Sequence, residues 1–316
     1  MLRPKENQTD PNLKSIFIHP TESRLRAGWR ILLFLILFWL LAALIFVIRP
    51  LFGDVSKREF LADYSLIIVG ILALAATIAV KIARKKLDKK SWVSLGLRIS
   101  TNTWKDLLFG FMLSGIMAGT FLGALWAIGV VEIDIQSLTA SHSGPAEGFA
   151  SYMKVISWGS LVLLFLEHLL VGYWEELVFR GYLLQNMIEG MGLQLAVVIS
   201  CIGYGLIHAG NPNAGLLSTG IIVLFGFLRI YGYLATKMLW LSMGMHIGWN
   251  FFQGPVFGFA ASGHQKATWL QLRFLSESSW LTGGDFGPEG SLLMLPILGL
   301  AILVMYGYVK NTRHHR

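Results

Sequence analysis

WRILLFLILFWLLAALIFVI, residues 29–48, carries a single charge and decides the class of fold. As a helix rising 1.5 Å per residue it extends ~30 Å, the thickness of a bilayer's hydrocarbon core. Comparable runs follow at about 64–82, 106–130, 155–188, 192–209, 215–235, 238–254 and 290–309. Of 316 residues, 54% are hydrophobic and 14% charged, and the mean hydropathy is +0.60. A soluble domain of this length needs far more polar surface. The expectation is an all-α integral membrane protein with about eight transmembrane helices enclosing a cavity. The fourth run is too long for one upright crossing. It is strongly tilted, kinked near Gly172, or divided into two half-helices.

The net charge of +8 does not point to nucleic acid, because the basic residues flank apolar runs. They concentrate in the tail (Arg3, Lys5, Lys14, Arg24, Arg26, Arg30), in the second connection (Lys81, Arg84–Lys90, Arg98, Lys105) and at the C-terminus (Lys310, Arg313, Arg316). The first and third connections, about 49–63 and 131–153, are acidic or mixed, with Asp54, Lys57, Arg58, Asp63, Glu132 and Glu147. By the positive-inside rule both termini are cytoplasmic, and the run Arg84–Lys90 reads as a solvated, lipid-facing orientation signal. Residues 1–26 form a polar tail in which no cleavable signal peptide is visible, so the first apolar run acts as its own insertion signal. Residues 27–105 hold two helices and a basic connection, 106–254 a helical core, and 255–316 a loop and the last helix. The Gly-, Ser- and Pro-containing stretches 131–153 and 255–289 read as loops that cap a cavity. Cys201 is the single cysteine, which excludes an internal disulfide and a Cys-based metal cluster.

Three patterns place costly polar groups inside apolar runs. In Glu175-Glu176-Leu-Val-Phe-Arg180 the two glutamates point about 100° apart, and Glu176 pairs with Arg180 one turn on. Glu175 is left to face something else, and an unpaired intramembrane carboxylate is expensive and usually functional. In Tyr204-Gly-Leu-Ile-His208 and in His246-Ile-Gly-Trp-Asn250 the outer residues share a helix face. Gly244 and Gly248 lie on a neighbouring face, where small residues permit close helix approach. Measured along helices that turn near Gly190, Glu175 lies ~22 Å and His208 ~27 Å from the turn. Asn250 and His246 lie ~21 and ~15 Å from the turn near Thr236 on the same membrane side, so all four can meet.

Such a cluster suits peptide hydrolysis. A carboxylate in low dielectric is a general base for water, an imidazole orients that water, and a second imidazole with a carboxamide can donate to an oxyanion. The same Glu175, His208 and His246 could instead hold a divalent metal such as zinc, although the spacing matches no helical HExxH site. Blander readings compete: Glu176–Arg180 as a structural ion pair, His208 as an interfacial residue, His246 and Asn250 as interhelical hydrogen-bond partners. Glu167 and His168 read as satisfied packing residues. Arg229 either binds a substrate carboxylate or phosphate or pairs with Glu189. Trp92, Trp104, Trp174 and Trp240 read as interface anchors.

The motifs Glu175-Glu176-x-x-x-Arg180, Tyr204-x-x-x-His208 and His246-x-x-x-Asn250 resemble the CAAX protease and bacteriocin-processing (CPBP) family, type II CAAX prenyl endopeptidase-like, across about 174–254. Ser94-Leu-Gly-Leu-Arg98 resembles the family's upstream region; Tyr204 stands where the family commonly has Phe. The resemblance implies an eight-helix intramembrane protease. In it Glu175 and His208 activate water, His246 and Asn250 stabilise the oxyanion, and Glu176, Arg180 and Tyr204 support them. The family has been described both as metal-dependent and as glutamate-based. The expected partners are membrane lipids and a peptide or lipidated protein (prenylated CAAX, or bacteriocin leader), with no nucleic acid or nucleotide. The expected location is a bacterial cell membrane. A non-catalytic peptide-binding or immunity scaffold is the alternative. A proton-coupled transporter is disfavoured by the lack of internal repeats.

Overall fold

The structure, a computed structural model, describes residues 14–19, 21–53, 60, 64–134 and 157–312. Residues 1–13 of the tail, most of the first connection, positions 135–153 of the third connection, Arg313 and Arg316 lie outside them.

The chain is built from α1 (Ala27–Ala42, extended by short turns to Phe52), α2 (Ser65–Lys86), α3 (Thr101–Ala127), α4 (Trp158–Glu176), α5 (Leu184–Met191), α6 (Leu193–His208), α7 (Leu216–Thr236), α8 (Trp240–Phe251) and α9 (Met294–Thr312). A π-helical segment, Leu177–Leu183, joins α4 to α5, and a second, Phe252–Val256 with Pro255 inside it, extends α8. One ribbon, β1 (Val131–Ile133) with β2 (Leu272–Phe274), pairs antiparallel with Val131 opposite Phe274.

Among the described residues five helices are long and apolar enough to cross a membrane: Ala27–Phe52, α2, α3, α7 and α9. α6 is apolar but shorter, at 16 residues. α4 with its π extension, α6 and α8 carry the polar residues of the three motifs. This is an all-α membrane protein whose outward faces are apolar, with Leu40 67% exposed, Leu108 62% and Leu303 66%. Side chains of that kind, arrayed along helix after helix, need lipid as their solvent.

The long fourth run is one unbroken helical rod from Trp158 to Met191. Its irregularity is the π segment beginning just after Glu176, not a kink at Gly172. Gly172 instead lets α4 touch α8: a Cβ there would stand 2.6 Å from Ile247 Cγ1 and 3.1 Å from its amide nitrogen. The α3–α8 crossing is closer still. A Cβ at Gly244 would lie 2.1 Å from the Leu107 carbonyl oxygen, and one at Gly248 2.5 Å from that of Phe111. The glycine face read from the sequence is thus pressed on α3. His246, two residues from each glycine and so about 200° around the helix, is turned away from α3 and toward α4.

In the basic run Arg84–Lys90 the lysines Lys85, Lys86, Lys89 and Lys90 are exposed as expected, but Arg84 is not. Arg84 and Asp88 are buried and pair at 2.8 Å, Arg30 of α1 reaches the other Asp88 oxygen at 2.8 Å, and Asn186 and Tyr182 donate to the same carboxylate. Glu189 accepts from Arg30 at 2.9 Å and from Lys90, and Arg24 lies 3.1 Å away. The correction is physical: a carboxylate four residues after an arginine converts part of a charge run into a buried pair, and this one ties α1, α2 and α5 together.

Candidate functional site

Glu176 is completely buried. Its Oε1 accepts from Arg180 Nη1 at 3.0 Å and from His246 Nδ1 at 2.8 Å, with Arg229 Nη1 3.6 Å away; its Oε2 accepts from the Ser242 hydroxyl at 2.5 Å. The expected Glu176–Arg180 pair is present. Arg229 is the surprise, because it faces Glu176 and not Glu189. Within-span spacing is readable from a helix period, whereas the partner of an arginine on a distant span is not. Ser242 also went unread, although it extends the His246–Asn250 stripe by one turn.

Glu175 faces another way. Its side chain keeps 12% exposure, and Oε2 accepts the Tyr204 hydroxyl at 2.9 Å and stands 3.7 Å from His246 Nε2. His246 therefore lies between the two adjacent glutamates, one imidazole nitrogen toward each. With an ionised carboxylate as its acceptor, Nδ1 carries a proton, so the neutral ring presents the Nε2 lone pair toward Glu175. The Tyr204 ring is overlaid by two guanidiniums, with Arg180 Cζ 4.4 Å and Arg229 Cζ 4.8 Å from its centroid. These cation–π contacts hold the phenol at Glu175 and bring α4, α6 and α7 to one point. Gly205 permits the α6–α7 approach, since a Cβ there would stand 2.5 Å from Val223 Cγ2.

His208 ends α6 half-buried. Its ring lies 4.5 Å from that of Tyr204, and Nδ1 donates to the Tyr204 carbonyl at 2.9 Å, a bond to its own helix and not to a loop. Asn250, one turn beyond His246 and half-buried, makes no side-chain hydrogen bond among the described residues. Tyr204 thus stands beside Glu175, His208 and His246 at once, the last ring 6.5 Å away.

Part of the loop expected at 255–289 closes over this region. Asn211, just past His208, donates to the Ser262 carbonyl at 3.0 Å, and Lys266 pairs with Glu167 of α4 and donates to Ser65 at 3.0 Å. Farther along, Glu289 accepts from Trp249 Nε1 at 2.8 Å and from Ser262 at 2.6 Å. Glu167 is the satisfied residue expected. His168 is not, since neither ring nitrogen has a partner, and the same holds for both amide atoms of buried Gln253. Trp174, expected at an interface, stacks on Phe38 at 5.9 Å within the helix packing.

Among the described residues no three His, Cys, Asp or Glu side chains gather as a metal site. In the expected set, Nδ1 of both histidines is bonded to other protein groups and Glu175 Oε2 to the Tyr204 hydroxyl. Bonding at Nδ1 leaves Nε2 of each ring, and Oε1 of Glu175, as the donor atoms such a set would offer to an ion.

The class defined so far is an all-α membrane protein with a two-glutamate, two-arginine, two-histidine cluster, buried at Glu176, Arg180, Arg229 and His246, where α4, α6, α7 and α8 meet. A family model described as type II CAAX prenyl endopeptidase Rce1-like matches residues 157–252, the stretch that supplies every one of those side chains. The match supports the resemblance seen in the motifs. No curated protein matches the chain.

Proposed function

We propose that the chain is an intramembrane endopeptidase of the CAAX type, cleaving membrane-associated peptides. The observation that carries this reading is His246 set between Glu175 and Glu176, with the unbonded Asn250 amide one turn away.

Glu175 is the general base. Water held between its carboxylate and the free nitrogen of His208 attacks the scissile carbonyl carbon, and its proton passes to Glu175. The oxyanion that forms is met by Asn250 Nδ2–H and by Nε2–H of His246, whose ring takes up a second proton from bulk water before the substrate binds and keeps it through the reaction. Glu176, accepting from Nδ1, stabilises the protonated ring as a carboxylate steadies the imidazole of a hydrolytic triad. Collapse breaks the C–N bond, and the proton on Glu175 goes to the departing amine. Arg180 and Arg229 keep Glu176 ionised and hold the Tyr204 ring, whose hydroxyl positions Glu175. A zinc-like ion, where one is taken up, would supply Lewis-acid polarisation of the water or carbonyl.

Substrates of this site are prenylated CAAX proteins or bacteriocin leader peptides presented from the lipid. The chain is a multi-pass protein of a bacterial cell membrane with about eight crossings and both termini cytoplasmic. The test is a mass-spectrometric comparison of membrane-protein termini in cells carrying the parent chain or Glu175→Gln. New termini that depend on Glu175 are expected. Identical termini in the two, with equal amounts of protein, refute the protease.

A further inference from the structure

His168 and Gln253 have a feature that the catalytic cluster does not use. His168 is 6% exposed and Gln253 not exposed at all, yet among the described residues none of their four polar side-chain atoms has a hydrogen-bond partner. A buried polar atom left unpaired costs about 1–3 kcal/mol, so two such side chains are a standing expense unless something pairs with them.

Their positions say what that is. His168 precedes Glu175 by seven residues on the regular helix α4, and Gln253 follows His246 by seven on α8 and the first turn of its π extension. Seven residues fall ~20° short of two turns, so each shares the face of its catalytic neighbour ~10 Å along the helix. Phe252 confirms the phase, because its ring reaches Gly115 of α3, which leaves Gln253 off the α3 face. The helices run antiparallel: Glu176 meets Ser242 and His246, whereas Gly172 meets Ile247. Four residues farther along α4 is His168, which puts it level with about position 251, between Asn250 and Gln253. The adjacent Glu167 pairs with Lys266 of the covering loop, so His168 lies at the end of α4 nearer that loop.

On the reading that this site cleaves peptides, we propose that His168 and Gln253 bind the main chain of an extended peptide substrate about three residues to one side of the scissile bond. At ~3.3 Å per extended residue, ~10 Å is three residues. A carboxamide offers one acceptor and a donor pair, matching the N–H and C=O of a peptide unit. A neutral imidazole likewise offers one of each. Such pairing ignores side-chain identity and fixes the register of the chain against Glu175.

The test measures peptide binding in the non-cleaving Glu175→Gln protein, in nanodiscs, by fluorescence anisotropy. The probes are a fluorescein-labelled farnesylated CAAX heptapeptide and the same heptapeptide without the prenyl group. His168→Leu and Gln253→Met are each expected to raise Kd ~10-fold while thermal stability holds or rises, because an unpaired buried polar group has been removed. His168→Gln, which restores a donor and an acceptor, recovers most of the affinity. In the cleaving protein the effect falls on KM more than on kcat. Unchanged Kd in both variants, or a marked loss of thermal stability showing that these groups serve the fold, overturns the inference and leaves the protease reading standing. Failure of the parent to bind either peptide overturns both.

Discussion

Glu176→Gln perturbs a fully buried carboxylate that three side chains hydrogen-bond. The substitution keeps volume and the Oε1 acceptor but removes the negative charge facing Arg180 at 3.0 Å and Arg229 at 3.6 Å. It also turns the Ser242 acceptor into a donor. Removing one partner of a buried ion pair costs ~3–5 kcal/mol, because the surviving charge stays desolvated. At ~2–4 °C per kcal/mol, the midpoint of thermal unfolding should fall by roughly 6–20 °C. Adding Arg180→Met removes one stranded guanidinium and should recover part of that loss, but not all of it, because Arg229 remains. Cleavage should not return, since His246 Nδ1 has lost its anionic acceptor. The assay is thermal denaturation in detergent, followed by near-UV circular dichroism, beside peptide cleavage on the same samples. A midpoint within about 2 °C of the parent, or a double variant less stable than the single one, refutes the reasoning.

Gly248→Ala should destabilise by ~1–3 kcal/mol and lower cleavage, because its Cβ would stand 2.5 Å from the Phe111 carbonyl oxygen and the α3–α8 contact that orients His246 must open; unaltered stability argues against that crossing. Tyr204→Phe keeps the ring under both guanidiniums and deletes the bond to Glu175, so kcat should fall ~10-fold with folding intact, and an unchanged kcat removes Tyr204 from the site. Burial alone would raise the Glu189 carboxyl, but hydrogen bonds from Lys90 and Arg30 outweigh it and hold it at about 2. Because the folded value lies below the ordinary 4.5, its stabilisation is complete above that pH and is lost as pH falls toward 2. Acid titration of thermal stability should show that loss in the parent and less of it in Glu189→Gln; equal titrations contradict the assignment.

Much of the site was legible because helix phase is a local property. The separation of Glu175 from Glu176, the pairing of Glu176 with Arg180 and the Gly244–Gly248 face all follow from spacing within one span. Relations between spans were not legible. Arg229 could be matched with any distant carboxylate, and only the meeting of α4, α6, α7 and α8 selects Glu176. A glycine such as Gly172 within a long run is compatible with a kink, one of three alternatives for that run, but inside the bundle its missing Cβ serves contact with Ile247 instead. The π segment left no signal, since Leu177–Leu183 has ordinary helix-forming composition. A basic run gives Arg84 the pattern of a solvated charge; its burial depends on Arg30 sharing Asp88 from another helix.

The two adjacent glutamates have opposite duties, so they should fail in opposite ways. Glu175 has one hydrogen bond and no guanidinium at salt-bridge distance among the described residues, whereas Glu176 anchors four side chains. The decisive measurement is cleavage by purified Glu175→Gln beside its thermal midpoint. Abolished cleavage at a midpoint within a few degrees of the parent is expected. Retained cleavage in that well-folded variant would contradict Glu175 as the group that takes the proton from water.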